Sequence, residues 1–265
     1  SVGECLKSAL KKYRGEIRRA VARHFVVEGG RAAGVFTDKG SSESTWVILS
    51  TGGASYPATG STGDGYTMAA KLGHTVLPPT GSLVPLETEG RDCQEMQGLS
   101  LRNVGLTVFE NDKKIYTDFG ELLFNNFGVS GPLILSASAH MRHFEKKTYR
   151  LEIDLKPALD EQQLDKRLLS DFAKYANSDF CNALDDLLPQ KLIPVMVEWS
   201  EIPPHEKVHD LTKEQRRGLL RLLKHFPVAI AGPCPVTDAI VTSGGVKVGE
   251  IDPKTMESKL VKDLY

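Results

Sequence analysis

Apolar residues change their spacing several times along this chain, and each change predicts an element. Val104, Leu106 and Val108 alternate with polar or small neighbours, and Leu151, Ile153 and Leu155 do the same, so two strands with one buried face are expected. Glu110-Asn111-Asp112 turns the first of these into a second run, Lys113 to Phe124. A period near 3.6 takes over after Asp160, the expected cap of a helix that carries Leu164, Leu168, Leu169 and Phe172 on one face. It returns after Thr212, which forms a capping box with Gln215 ahead of the stripe Leu219, Leu222, Leu223 and Phe226. Shorter helices are expected after Ser178 and after Ser130, the latter with Pro132 in its first turn, and Pro189 opens the turn that follows the former.

The first third reads differently. Residues 3–14 (GECLKSALKKYR) are helical in pattern, and the runs 17–28 and 32–39 make a hairpin about Gly29-Gly30. Trp46-Val47-Ile48-Leu49 has the look of a short buried strand. It feeds a glycine-rich stretch, Thr51 to His74 (TGGASYPATGSTGDGYTMAAKLGH). That stretch closes in a helix from Tyr66 to Leu72, with Asp64 placed to cap its first amides and Gly73 to end it in a left-handed conformation. Near the end, Ala239-Ile240-Val241 predicts another buried strand, with Ser243-Gly244-Gly245 as a sharp turn at its carboxyl end. Pro78-Pro79 and Gly81 punctuate a boundary. Three zones follow: residues 1–79, residues 80–235 as a strand-rich barrel or sheet with a helical subdomain at about 157–226, and residues 236–265.

The two glycine turns carry the candidate chemistry. A glycine loop at the amino end of a helix leaves backbone N–H groups unpaired at the positive end of the helix dipole, a place that suits a phosphate or carboxylate. Gly60 and Gly65 have the spacing that opens a Walker A motif, but Tyr66 stands where the lysine must be, so a nucleoside triphosphatase is excluded. No G-x-G-x-x-G occurs. Since ligands of open α/β sheets sit beyond the carboxyl ends of the strands, Gly52-Gly53 and Gly244-Gly245 are expected on one sheet edge, where backbone without Cβ atoms can approach a flat ring.

Composition narrows the class. With 33 basic and 34 acidic side chains the net charge is −1, so no overall field favours nucleic acid or anionic lipid, and no apolar run approaches the length of a membrane span. Four single, widely spaced cysteines demand neither disulfides nor a zinc site, and a reduced, cytoplasmic setting is expected.

Three blocks taken in order, Thr51 to His74, Gly120 to Leu135 (GELLFNNFGVSGPLIL) and Val241 to Leu260 (VTSGGVKVGEIDPKTMESKL), resemble the signatures of the BaiN/YhiN-type flavoproteins, a family of NAD(P)/FAD-dependent oxidoreductases. The resemblance implies an α/β fold. A partial Rossmann-like FAD-binding domain of the two-dinucleotide-binding-domain kind is interrupted by an inserted β-barrel-like domain with a helical subdomain. It also implies that Thr51, Gly52, Gly53, Gly60, Ser61, Thr62, Gly63, Asp64, Thr242, Gly244, Gly245 and Val246 lie around FAD, with Met256, Ser258 and Lys259 close by.

NAD(P)H is the implied reductant, an unsaturated or carbonyl-conjugated small molecule the implied substrate, and no partner among nucleic acids or membranes is expected. Family members begin with a strand and a G-x-G-x-x-G turn and continue past TMESK, so an internal part of a parent of about 400 residues is expected, itself a poor FAD binder. Flavin enzymes need no diagnostic catalytic triad, and none is assigned. The rival reading is a binding or scaffolding module with a vestigial or absent cofactor.

Histidines supply the remaining candidates. His205-Glu206-Lys207-Val208-His209 fits H-E-x-x-H, but the zinc mechanism needs those residues inside a helix, and Pro203-Pro204 precede them directly. His140 and His143 are expected at a helix end. His74 is expected to satisfy carbonyls past the helix end at Gly73, or else to face the flavin. Tyr56 and Phe127 are candidate walls of a substrate pocket, or simply core.

Overall fold

A computed structural model describes residues 2–265, which divide into two compact units. Of the described residues, the first contains 2–53, 60–78 and 244–265 and the second 54–59 and 79–243. The chain crosses between them on β4 (Val76–Ser82) and returns on β11 (Val241–Val246), and these two strands pair with each other.

The first unit opens with α1 (Val2–Lys12) and a three-stranded antiparallel sheet of β1 (Ala22–Glu28), β2 (Arg31–Thr37) and β3 (Gly40–Glu43). Gly29 and Gly30 turn β1 into β2 with positive φ, as the glycine pair requires. Its core gathers Phe25, Ala32, Val47, Met68, Val261 and Leu264. Trp46–Leu49 is not the buried strand its composition promises. Val47 alone is buried and makes one parallel bridge to Leu264, while Trp46 and Ile48 are 64% and 74% exposed. The glycine-rich stretch then leads into α2 (Asp64–Lys71), whose cap is Gly63 with φ 81°; Asp64 is its first residue instead of its cap. Gly73 ends it left-handed at φ 91°.

The second unit is built on a closed six-stranded antiparallel barrel. Its strands are β5 (Leu86–Thr88), β6 (Ser100–Glu110), β7 (Lys113–Asn125), β8 (Gly128–Ser130), β9 (Tyr149–Asp154) and β10 (Phe226–Pro233), with α3 (Asp92–Glu95) after β5 and α4 (Pro132–Ser138) after β8. The order around the barrel is β10-β5-β8-β7-β6-β9, and β9 pairing with β10 closes it. Inward residues alternate along the strands as the sequence predicts: Val104, Leu106, Val108, Leu151 and Ile153 are all buried. The β6–β7 turn falls on Asn111 and Asp112, both left-handed.

Between β9 and β10 lie α5 (Glu161–Lys174), α6 (Phe180–Ala183), α7 (Ile193–Ser200) and α8 (Lys213–Lys224), packed into the barrel's own hydrophobic cluster. The capping box predicted at Thr212 with Gln215 is present, and Asp160, the expected cap of α5, forms a box of its own with Gln163. Four details differ from expectation. Gly131 and not Ser130 caps α4, Asp179 and not Ser178 precedes a helix of only four residues, Leu169 faces solvent, and Phe226 belongs to β10. His225, at φ −138°, breaks the helix before Phe226, so the same apolar side chain reaches the core from a strand. Among the described residues no helix is long and apolar enough to cross a membrane.

Candidate functional site

In the first unit the glycine-rich stretch folds back on itself. A Cβ on Gly65 would come within 2.2 Å of Thr51 Oγ1, and one on Gly52 within 2.6 Å of Ser61 Oγ. Thr51 and Gly52 are thereby held against the entry of α2, a closeness only glycine allows. At that entry no side chain caps the first turn, so its leading amides remain available. Beside them Gly60, at φ 103°, faces open space, and Thr62 and Asp64 are exposed. The carboxylate of Asp64 already sits at the positive end of the helix dipole. That charge makes the spot better suited to hydroxyl and N–H donors than to a bare phosphate.

The second glycine segment comes to the same helix. Gly245 is buried against Tyr66, where a Cβ would stand 2.8 Å from the ring carbon Cε1, and Gly244 is pressed on Pro78, whose carbonyl oxygen would be 2.5 Å from a Cβ. Both glycines have positive φ, at 93° for Gly244 and 97° for Gly245. They lie inside β11 and form no turn at a strand's carboxyl end, and the strand expected before them, Ala239-Ile240-Val241, has only Ala239 buried. Pairing of β11 with β4 is what carries them to Tyr66. In the second unit, Thr242 of β11 accepts hydrogen bonds from Ala54 N at 2.9 Å and Ser55 N at 3.1 Å and bonds the Ser55 hydroxyl at 2.8 Å. Thr242 is therefore committed to protein partners. Gly53, Ser61, Gly63 and Val246 are partly exposed along these segments.

Met256 and Lys259 lie in a separate turn of the first unit. Met256 is exposed at φ 65° with its amide on Asp252 O, and Lys259 donates through Nζ to Gly249 O. Lys259 lines an open cleft of about 430 Å³ together with Gly30, Asp252, Thr255, Ser258 and Lys262.

Sequence reasoning missed the most specific cluster. His74 Nδ1 lies 3.0 Å from Glu250 Oε2 and Nε2 lies 2.8 Å from Ser258 Oγ, and both His74 and Ser258 are buried. As expected, His74 satisfies a carbonyl at the helix end, but through its backbone amide on Ala69 O; its ring is given wholly to Glu250 and Ser258. Thr75, through its hydroxyl and its amide, and then His74 hold the Glu250 carboxyl below the usual glutamate range. The order Glu, His, Ser is that of a charge relay, but Ser258 Oγ also accepts from Leu260 N and Val261 N. Both lone pairs are engaged and its proton faces His74, so the group clamps the last segment onto the end of α2 and is no nucleophile. The partners are 176 and 184 residues apart, beyond any local signal.

The H-E-x-x-H residues are dispersed. His205 pairs with Asp179, His209 bonds Ala176 O, and only a turn of 3-10 helix (Val208–Asp210) touches the segment. His140 stacks on Tyr116 at 4.4 Å, and exposed His143 pairs with Glu145. Tyr56 and Phe127 are 50% and 39% exposed, so neither is core.

The family model described as "HI0933-like protein barrel and H2TH domain" matches residues 80–241. The 3-dehydro-bile acid delta(4,6)-reductase of Clostridium scindens is 28% identical over 221 residues, 83% of this chain and 54% of that protein. Ribosomal RNA dihydrouridine synthases of Haemophilus influenzae and Escherichia coli are 31% identical over 220 residues and 28% over 221; each alignment covers 83% of this chain and 52% of the relative. The chain spans about half the length of the curated relatives it matches.

Proposed function

We propose, for a chain that belongs to the HI0933-like family, that it forms the inserted barrel domain and part of the flavin-binding domain of a FAD-dependent oxidoreductase that saturates a carbon–carbon double bond conjugated to a carbonyl. The relatives motivate the reaction class. A delta(4,6)-reductase of a 3-dehydro bile acid and a dihydrouridine synthase act on molecules of very different shape. In both, the bond reduced is an alkene polarised by a carbonyl, which accepts hydride at its far carbon. NADH or NADPH is the reductant in this reading, and FAD, when bound, supplies the hydride relay.

The observation that carries the reading is the uncapped first turn of α2, opened by Gly60 and Gly63 and bordered by Tyr66 on Gly245. The amides of Asp64 and Gly65, with the hydroxyls of Ser61 and Thr62, would bind oxygen atoms of the cofactor, and the Asp64 carboxylate would accept from its N–H or O–H groups. Gly244 and Gly245 would keep side chains out of the way of a planar ring. Thr242, occupied with Ala54 and Ser55, would hold the loop in shape without touching the ligand.

Purifying the whole protein that carries these residues tests this directly. Visible flavin absorbance that bleaches with NADPH or NADH, and returns on adding a conjugated enone or uridine-containing RNA, is expected. A colourless protein that takes up no added FAD overturns the proposal.

A further inference from the structure

The near-zero net charge of the chain conceals a segregation. Residues 3–23 hold seven cations, Lys7, Lys11, Lys12, Arg14, Arg18, Arg19 and Arg23, against two carboxylates, Glu4 and Glu16, so the remainder is net negative. All seven cations are exposed, and among the described residues only Arg18 of the seven is in an ion pair, with Glu16. Backbone bonds close the end of α1 and tie the carboxyl end of the stretch to the sheet. Gly15 N donates to Leu10 O at the end of α1, Lys39 Nζ donates to Arg19 O, and Val21 N donates to the Asp38 carboxylate. Lys39 thereby adds an eighth cation, from the β2–β3 turn. Tyr13 stands among them at 79% exposure.

We infer that this surface of the first unit docks the phosphate backbone of single-stranded RNA. Four arginines within residues 14–23 offer planar forks that match phosphate oxygens, and Tyr13 offers a face on which a base can stack. An anionic membrane fits less well. The exposed apolar side chains of the helix, Leu6 and Leu10, are followed by Tyr13, Ile17 and Val21 in a non-helical stretch that gathers them on no continuous helical face, too little to insert. The inference rests on the reading above only in placing the reduced base within RNA. Binding itself needs no flavin.

The chain of 265 residues suffices for the test. Fluorescence anisotropy would follow a labelled single-stranded RNA of about twenty nucleotides, long enough for several phosphate contacts. If about five phosphates are neutralised, affinity falls about 50-fold between about 50 and about 150 mM salt. Charge reversal at Arg14, Arg19 and Arg23 (R14E/R19E/R23E) should weaken binding at least about ten-fold, while K213E/R217E on α8 in the second unit should leave it nearly unchanged, with circular dichroism unaltered in both. The inference is overturned if RNA does not bind at low salt, if the triple variant binds as tightly as the parent, or if phosphatidylglycerol vesicles are bound in preference to RNA. Loss of flavin uptake with RNA binding intact would instead sink the proposed reaction and leave this surface standing.

Discussion

Thr242 and Ser55 face each other across 187 residues of sequence with their hydroxyl oxygens 2.8 Å apart, and the same Thr242 oxygen accepts the amides of Ala54 and Ser55. One side chain thus shapes the exit of the first glycine pair. Replacing it by valine keeps the volume and strands two amides in a part-buried place. T242V should cost about 1–3 kcal/mol in denaturant unfolding and T242S well under half of that. Equal losses for the two would mean that the methyl group, not the hydroxyl, does the holding.

Gly244 and Gly245 make a sharper case. Alanine at Gly244 would meet the Pro78 carbonyl oxygen at 2.5 Å, a backbone atom that cannot swing away, whereas at Gly245 it meets the edge of Tyr66 at 2.8 Å. G244A should therefore be the worse, at about 2 kcal/mol or more, and Y66A should relieve part of G245A while leaving G244A untouched. Thermal melts of the singles and doubles check the order. Failure of Y66A to couple with G245A would contradict the contact.

Features written within a few residues were legible in the sequence. The Asp160 and Thr212 caps each lie three residues from their partner glutamine, and the β6–β7 turn is local too. Apolar periodicity could not tell that Phe226 had left α8, because the break depends on the backbone of His225 and on pairing with β9, far back in the chain. The same limit explains the glycine segments. Their meeting was expected from two parallel strands ending together, yet it comes from β11 lying along β4, and the Trp46–Leu49 run is mostly exposed. The helix-end role expected of His74 is met by its amide, a local contact, whereas the two partners of its ring are remote and left no signal nearby.

The clamp at His74 has an acid limb. Thr75 and His74 hold Glu250 below the ordinary glutamate value near about 4.3, so the unfolded chain takes up that proton at a higher pH than the folded one. The stability this contributes is complete above the unfolded value and is lost as pH falls through the lower folded value. The melting temperatures of parent and E250Q, followed from about pH 6 down to about pH 3, should therefore converge on the acid side. A gap that stays constant or widens there would show that the carboxylate charge is not what matters.

Zinc should do nothing for this chain. His205 and His209 are tied to Asp179 and Ala176 and do not share a helical face, so added zinc should leave the melting temperature unchanged. A rise that grows with zinc concentration, as mass action requires of a ligand bound only by the folded state, would revive the metal reading.

Hydrogen exchange of the whole protein, with and without FAD, tests most directly whether the glycine segments meet the cofactor. The account predicts slower exchange on FAD binding at Thr62 to Tyr66 and at Thr242 to Val246. Flavin bound with protection confined to other segments would contradict it.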